Sequence, residues 1–152
     1  MHIPPEVWGP FFWNTIHLVA LGYPSEPTYV DKKAAKDFFE SLGRLIPCPI
    51  CRDHYTANLK EMPITSSLDK RRDLLTWTIK LHNKVNTMLN KPEKTEMEVL
   101  AYYEALGKRG RSPIWNTDDL SEINMRSFLR GVATTVGIGA VVGTVLYFVK
   151  PT

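Results

Sequence analysis

The chain holds two cysteines, and they are separated by only two residues: Cys48-Pro49-Ile50-Cys51. A pair spaced in this way can close into a small disulfide ring and reopen by exchange with an outside thiol. Pro49 suits the first turn of a helix, which puts Cys48 at or before the cap and Cys51 within the first turn. There the helix dipole and the free N–H groups favour thiolate over thiol. As a structural staple the pair is poor, because it closes a tiny loop. Two cysteines also cannot build a disulfide-rich secreted scaffold. Sulfur redox chemistry is therefore the first possibility to weigh.

A second group of candidates surrounds His82-Asn83-Lys84-Val85-Asn86. His82 and Asn86 are four apart and so share a helical face, and Asn83 is three from Asn86. A solvated polar stripe would explain this pattern, but if buried these groups need polar partners. Trp13 and His17 share a face of an earlier helix, and His54 lies one turn after Cys51. Aromatic, imidazole and amide groups on several helices suit a planar, hydrogen-bonding, heteroaromatic ligand. Three chemistries stay open for the cysteines. A thioredoxin-like exchanger needs βαβ units, and no strand pattern is found. A zinc site could draw on His17, His54 and His82, but there is no second Cys-x-x-Cys and the spacings do not fit a finger, so no metal is expected. The third is the redox pair of a helical flavoprotein.

Helical spacing recurs along the chain, and runs of alternating polarity are absent. The spacing predicts helices over about 10–21, 28–44, 49–60, 67–89 and 95–107, with Ser66-x-x-Asp69 and Thr95-x-x-Glu98 as capping boxes. Residues 108–117 read as a linker, followed by a short helix from about Asp118. At 152 residues and a net charge of +3, the chain is long enough for one buried core and only mildly basic. Lys70-Arg71-Arg72 and Lys108-Arg109-Gly110-Arg111 are short basic runs without interleaved aromatics, so no nucleic-acid partner is expected. No secretory signal is visible at the start.

From Gly131 to Val149 no residue is charged. As a helix this stretch would span roughly 28 Å, close to the thickness of a hydrocarbon core. The expectation is a C-terminal transmembrane helix at 131–149, with Gly139 and Gly143 as a small-xxx-small pair. Arg126 and Arg130 precede it, which orients the rest of the chain toward the cytoplasm. The domains expected are 1–107 (helical domain), 108–130 (linker and juxtamembrane segment) and 131–149 (tail anchor).

Three stretches together resemble the Erv/ALR family of flavin-linked sulfhydryl oxidases. They are Trp8-Gly9-Pro10-Phe11-Phe12-Trp13-Asn14-Thr15-Ile16-His17, Cys48-Pro49-Ile50-Cys51-Arg52-Asp53-His54-Tyr55, and Trp77 through His82-Asn83-Lys84-Val85-Asn86 to Asn90-Lys91-Pro92. The likeness covers about residues 6–106. It implies an all-α fold, a four-helix bundle with a short fifth helix that binds FAD, here followed by the transmembrane helix. It implies that Cys51 lies against the flavin and that Cys48 is the more open sulfur, attacked by an incoming thiolate. Electrons would pass from Cys51 to FAD and on to O2, giving H2O2. FAD contacts are implied for Gly9, Trp13, His17, His54, His82, Asn83, Val85 and Asn86. Lys91 is implied at the pyrophosphate, and Tyr23 stands where the family often has an aromatic.

Departures from the pattern narrow these expectations. The position after Gly9, Arg in many members, is Pro10. Ile79 stands at one position of the cysteines that staple the fifth helix in many relatives. No second, shuttle Cys-x-x-Cys exists, so electrons must come directly from protein thiol substrates or from a thioredoxin-like carrier. The compact core and cytoplasmic facing are similar to versions carried by large cytoplasmic DNA viruses, with a mitochondrial or secretory-route protein as the alternative. A homodimer through helices 1 and 2 is implied, with Phe11, Phe12, Phe38 and Phe39 offering apolar surface unless they only fill the core. The reading from another class is a non-enzymatic, membrane-anchored interaction module with a structural or metal-binding Cys-x-x-Cys.

Overall fold

The computed structural model describes the backbone of residues 3–110 and 117–148, and the side chains of 3–110, 125–140, 142 and 144. Among the described residues every regular element is helical. They are α1 (Pro5–Gly22), α2 (Tyr29–Leu45), α3 (Pro49–Glu61), a 3-10 turn (Ile64–Ser67), α4 (Arg71–Met88), α5 (Glu96–Arg109) and α6 (Thr117–Phe148). The chain falls into two compact units, Met1–Tyr102 and Tyr103–Thr152.

In the first unit, α1 packs on α4 and α2 packs on α3. The core is assembled from Ile16 and Ala20 of α1, Phe39 and Leu42 of α2, Tyr55 of α3, and Leu74, Trp77, Ile79 and Leu81 of α4. Phe39 meets Trp77 edge-on at 5.3 Å, and this contact joins α2 to α4. Trp77 Nε1 donates to the Met62 carbonyl at 2.9 Å, which holds the end of α3 on α4. Tyr55 donates its hydroxyl to the Phe39 carbonyl at 2.9 Å, so its burial leaves no unmet polar group.

The helix ends show where local signals prevail. The Thr95–Glu98 capping box forms, with the Thr95 N–H donating to Glu98 at 2.8 Å and the Glu98 N–H donating to Thr95 Oγ1 at 3.2 Å. A box not anticipated from the sequence, Thr28–Asp31, opens α2. The box expected at Ser66–Asp69 does not form. Ser66 donates to the Pro63 carbonyl at 3.2 Å, Asp69 pairs with Lys32 on α2, and α4 starts only at Arg71. α1 likewise begins five residues earlier than the expected Pro10, because Pro5 already occupies its first turn. Pro10 then lies inside the helix.

Of the four phenylalanines expected to supply dimer surface, Phe39 is wholly buried. Phe12 and Phe38 are half-buried against the core, and only Phe11 is exposed. In the second unit, α6 runs unbroken for 32 residues, and its described side chains are all exposed. The membrane span expected at 131–149 lies on α6, but the side chains of 141, 143 and 145–149 are outside the described residues. Among the described residues no helix is long and apolar enough to cross a membrane, so the structure does not support the expected transmembrane helix.

Candidate active site

Cys48 is the N-cap of α3, in extended backbone, and Pro49 follows as its first helical residue. The two sulfurs are joined in a disulfide, with the Cα atoms 5.1 Å apart. The Cys51 N–H donates to Cys48 Sγ at 3.2 Å, so this sulfur fills the role of a capping oxygen. Arg52 ties the turn down: its Nε donates to the Ile46 carbonyl at 2.5 Å, which fixes the start of α3 to the end of α2. Both cysteines are half-buried against the core, so burial does not separate them. Ile50, between the two cysteines, and Leu45, three residues before Cys48, are exposed.

A second cluster is built across α1 and α4. Trp13 stacks on His82 with the ring centroids 3.9 Å apart and the planes within 3°. His17 Nε2 lies 3.0 Å from His82 Nδ1, and His17 Nδ1 lies 3.0 Å from Thr78 Oγ1. Burial pushes the His17 pKa down to about 4, with His82 as the second cause. Burial likewise takes His82 down to about 4, with the Lys91 charge adding to it. Both imidazoles are therefore neutral at pH 7.

The end of α4 brings Lys91 back toward this cluster. Asn90 takes a left-handed backbone (φ 54°), which Asn tolerates better than most residues, and the Lys91 N–H donates to the Asn86 carbonyl at 2.8 Å. Asn83 donates through Nδ2 to the Lys94 carbonyl at 2.8 Å and accepts from the Lys94 N–H at 2.9 Å. Its amide thus holds the segment between α4 and α5. Asn86 is buried and donates weakly to Asn83 Oδ1 at 3.5 Å.

A model of the Erv1 / Alr family matches residues 10–104. The chain belongs to the Erv1 / Alr family. It is 41% identical over 103 residues to a protein of Acanthamoeba polyphaga mimivirus named "probable FAD-linked sulfhydryl oxidase", covering 67% of this chain and 68% of that one. It is 35% identical over 97 residues to a FAD-linked sulfhydryl oxidase of African swine fever virus, covering 64% and 80%. Its fold is similar to the crystal structure of the FAD binding domain of Erv1 from Saccharomyces cerevisiae, with a TM-score of 0.59 at 31% identity, covering 62% of this chain and 88% of that one.

Within this Erv1 / Alr domain, the structure brings together Trp13, His17 and His82, with Lys91 near enough for its charge to act on His82. Cys48 and Cys51 pack on the same core as Trp13. Val85 and Gly9 are half-buried, and open space adjoins Gly9: beyond its chain neighbours and the local backbone of its own helix, no described heavy atom lies within 4 Å of where a Cβ would stand. His54 is exposed on the turn after Cys51. Tyr23 belongs to the core, where its hydroxyl donates to the Leu68 carbonyl at 3.1 Å. Three further groups were not anticipated. Thr78 is one, a buried threonine within an apolar helix. The others are Trp8 Nε1 and Asn58 Nδ2, buried donors with no hydrogen-bond partner among the described residues. Spacing offers a partial signal for two of them, since Thr78 is four residues before His82 and Asn58 is four after His54.

Proposed function

We propose that this chain is a FAD-dependent thiol oxidase that makes disulfides in protein substrates. The observation that carries this is the Cys48–Cys51 disulfide at the start of α3, packed on the same core as the Trp13–His82–His17 cluster. The residues fit the cofactor. Trp13 and His82 offer aromatic surface, Lys91 a cation for the pyrophosphate, and Asn86 an amide. Trp8 and Asn58 offer buried donors that lack a partner among the described residues, and the space beside Gly9 admits close approach. His17, His54, Asn83 and Val85 complete the proposed contacts. Tyr23 supports the bundle rather than the cofactor.

A substrate thiolate attacks Cys48 Sγ, the S–S bond breaks, and Cys51 leaves as thiolate. A second substrate thiolate then attacks the mixed disulfide. The substrate disulfide departs, and Cys48 is released as the thiolate. The Cys51 N–H and the N-terminal end of α3 favour that leaving thiolate. The chemistry supplied by FAD, when bound, is acceptance of two electrons from the reduced pair and their delivery to O2, giving H2O2. The exposed Leu45 and Ile50 present apolar surface to an incoming protein thiol or a thioredoxin-like carrier.

Three finer points belong to the same proposal. The likeness to proteins of large DNA viruses supports a viral version of the oxidase. Val7, Phe11 and Leu18 form an exposed stripe along α1, which supports a homodimer; Phe11→Glu should lower the mass measured by light scattering. The uncharged run from Gly131 to Val149 supports a tail that anchors the domain (residues 1–107) through the linker at 108–130, with the catalytic part facing the cytoplasm. Flotation of the full chain with lipid vesicles tests this.

Colour tests the central claim. The purified protein should be yellow, bleach on addition of a dithiol, and consume oxygen as it does so. A colourless protein that FAD cannot reconstitute overturns it.

A further inference from the structure

One hydroxyl sets the direction of every proton in the histidine cluster. Thr78, wholly buried, has its Oγ1 2.7 Å from the Leu75 carbonyl oxygen and 3.0 Å from His17 Nδ1. A carbonyl only accepts, and two oxygens this close need a proton between them. The Thr78 proton is therefore committed to Leu75, and toward His17 its oxygen can only accept. His17 must carry its proton on Nδ1 and keep a lone pair on Nε2. That nitrogen lies 3.0 Å from His82 Nδ1, so His82 also carries its proton on Nδ1. The remaining lone pair of the chain is on His82 Nε2, which meets no hydrogen-bond partner among the described residues.

We propose that Thr78 is a positioning residue: acting through His17, it fixes His82 as the Nδ1–H tautomer, so that the site presents a hydrogen-bond acceptor at His82 Nε2. The acceptor matches a hydroxyl or amino donor of a bound nucleotide and is mismatched to its phosphates. This rests on the reading of the site as a FAD site, in which the phosphate role falls to Lys91. The low pKa of both imidazoles agrees with it, since a cation at His17 would break the relay and one at His82 would replace the acceptor at Nε2 with a donor. Neither Cys48 nor Cys51 takes part, so the relay concerns holding the cofactor and not thiol exchange.

The test uses the full chain, 15N-labelled, with long-range proton–nitrogen correlation on the imidazole rings and FAD affinity measured in parallel. In the wild type, both His17 and His82 should show protonated Nδ1 and bare Nε2. Thr78→Val keeps the size but removes the acceptor. It should release both rings into mixed tautomers and weaken FAD binding about ten-fold, on the scale of one lost hydrogen bond. Thr78→Ser should restore both readouts. A wild-type His82 protonated on Nε2 overturns the proposal, and this needs no variant to fold. Thr78→Val with unchanged tautomers and unchanged affinity overturns it too. Failure of the wild type to bind FAD would instead sink the cofactor reading, while the ring spectra of the same sample still report on Thr78.

Discussion

Cys48 and Cys51 meet because they stand three positions apart at the start of one helix, whereas His17 and His82 meet across 65 residues, by the packing of α1 on α4. The sulfur end is local in its making. A cap, a proline and Arg52 define it, and both sulfurs stay half-buried. The imidazole end exists only once the core has closed. Its rings are desolvated, neutral and ordered by a buried threonine. The chemistry that must meet a protein substrate is thus placed on a helix start near the surface, and the part suited to a tightly held cofactor is placed where two helices interlock. Local elements tolerate loss of distant packing better than interlocked ones do.

The sharpest way to separate the two ends is Cys51→Ala. Thiol-dependent oxygen uptake should vanish, while FAD content and the imidazole spectra stay as in the wild type; a loss of bound FAD would show that the two ends are one structural unit. Next in size is Phe39→Ala, which removes the ring joining α2 to α4. Its cost should be about 3–5 kcal/mol, read from denaturant melts, and both ends should fail together.

Acid should act on the imidazole end first. His17 has a folded pKa of about 4 against an ordinary 6.5, and His82 is lowered to a similar value. The unfolded chain therefore takes up protons that the folded chain refuses. Their contribution is complete above pH 6.5 and is lost as pH falls toward about 4, in total on the order of a few kcal/mol. His17→Asn should flatten the fall in melting temperature over that window; an unchanged slope would place the acid sensitivity elsewhere. The smallest effect is expected from Thr28→Ala, which removes the cap of α2 away from both ends. It should lower stability by about 1 kcal/mol and leave FAD affinity and oxygen uptake untouched.

The same contrast explains what could be read from sequence. The cysteine pair, the Pro49 start of α3 and the Thr95–Glu98 cap are relations within a few residues, and they appear as expected. Trp13, His17 and His82 were legible as candidates because helical spacing grouped them by face. That His17 bonds His82 and not solvent depends on helix packing, which spacing does not encode. Thr78 was hidden for the same reason, since within an apolar helix it reads as filler until the ring of His17 is beside it. Ser66–Asp69 failed as a cap because Lys32, far away in sequence, draws Asp69 to α2. Tyr23 was absorbed by the core through the Leu68 carbonyl. The expected membrane span drew on an uncharged stretch of about the right helical length, yet among the described residues no helix is long and apolar enough to cross a membrane.

Cys48 caps α3 and, in the proposed mechanism, also receives the incoming thiol, so opening of the disulfide should act directly on the end of that helix. The Cys51 amide proton, bonded to the Cys48 sulfur, would then be a built-in reporter of turnover. Its exchange with solvent should change each time the disulfide opens, without any probe attached to the enzyme.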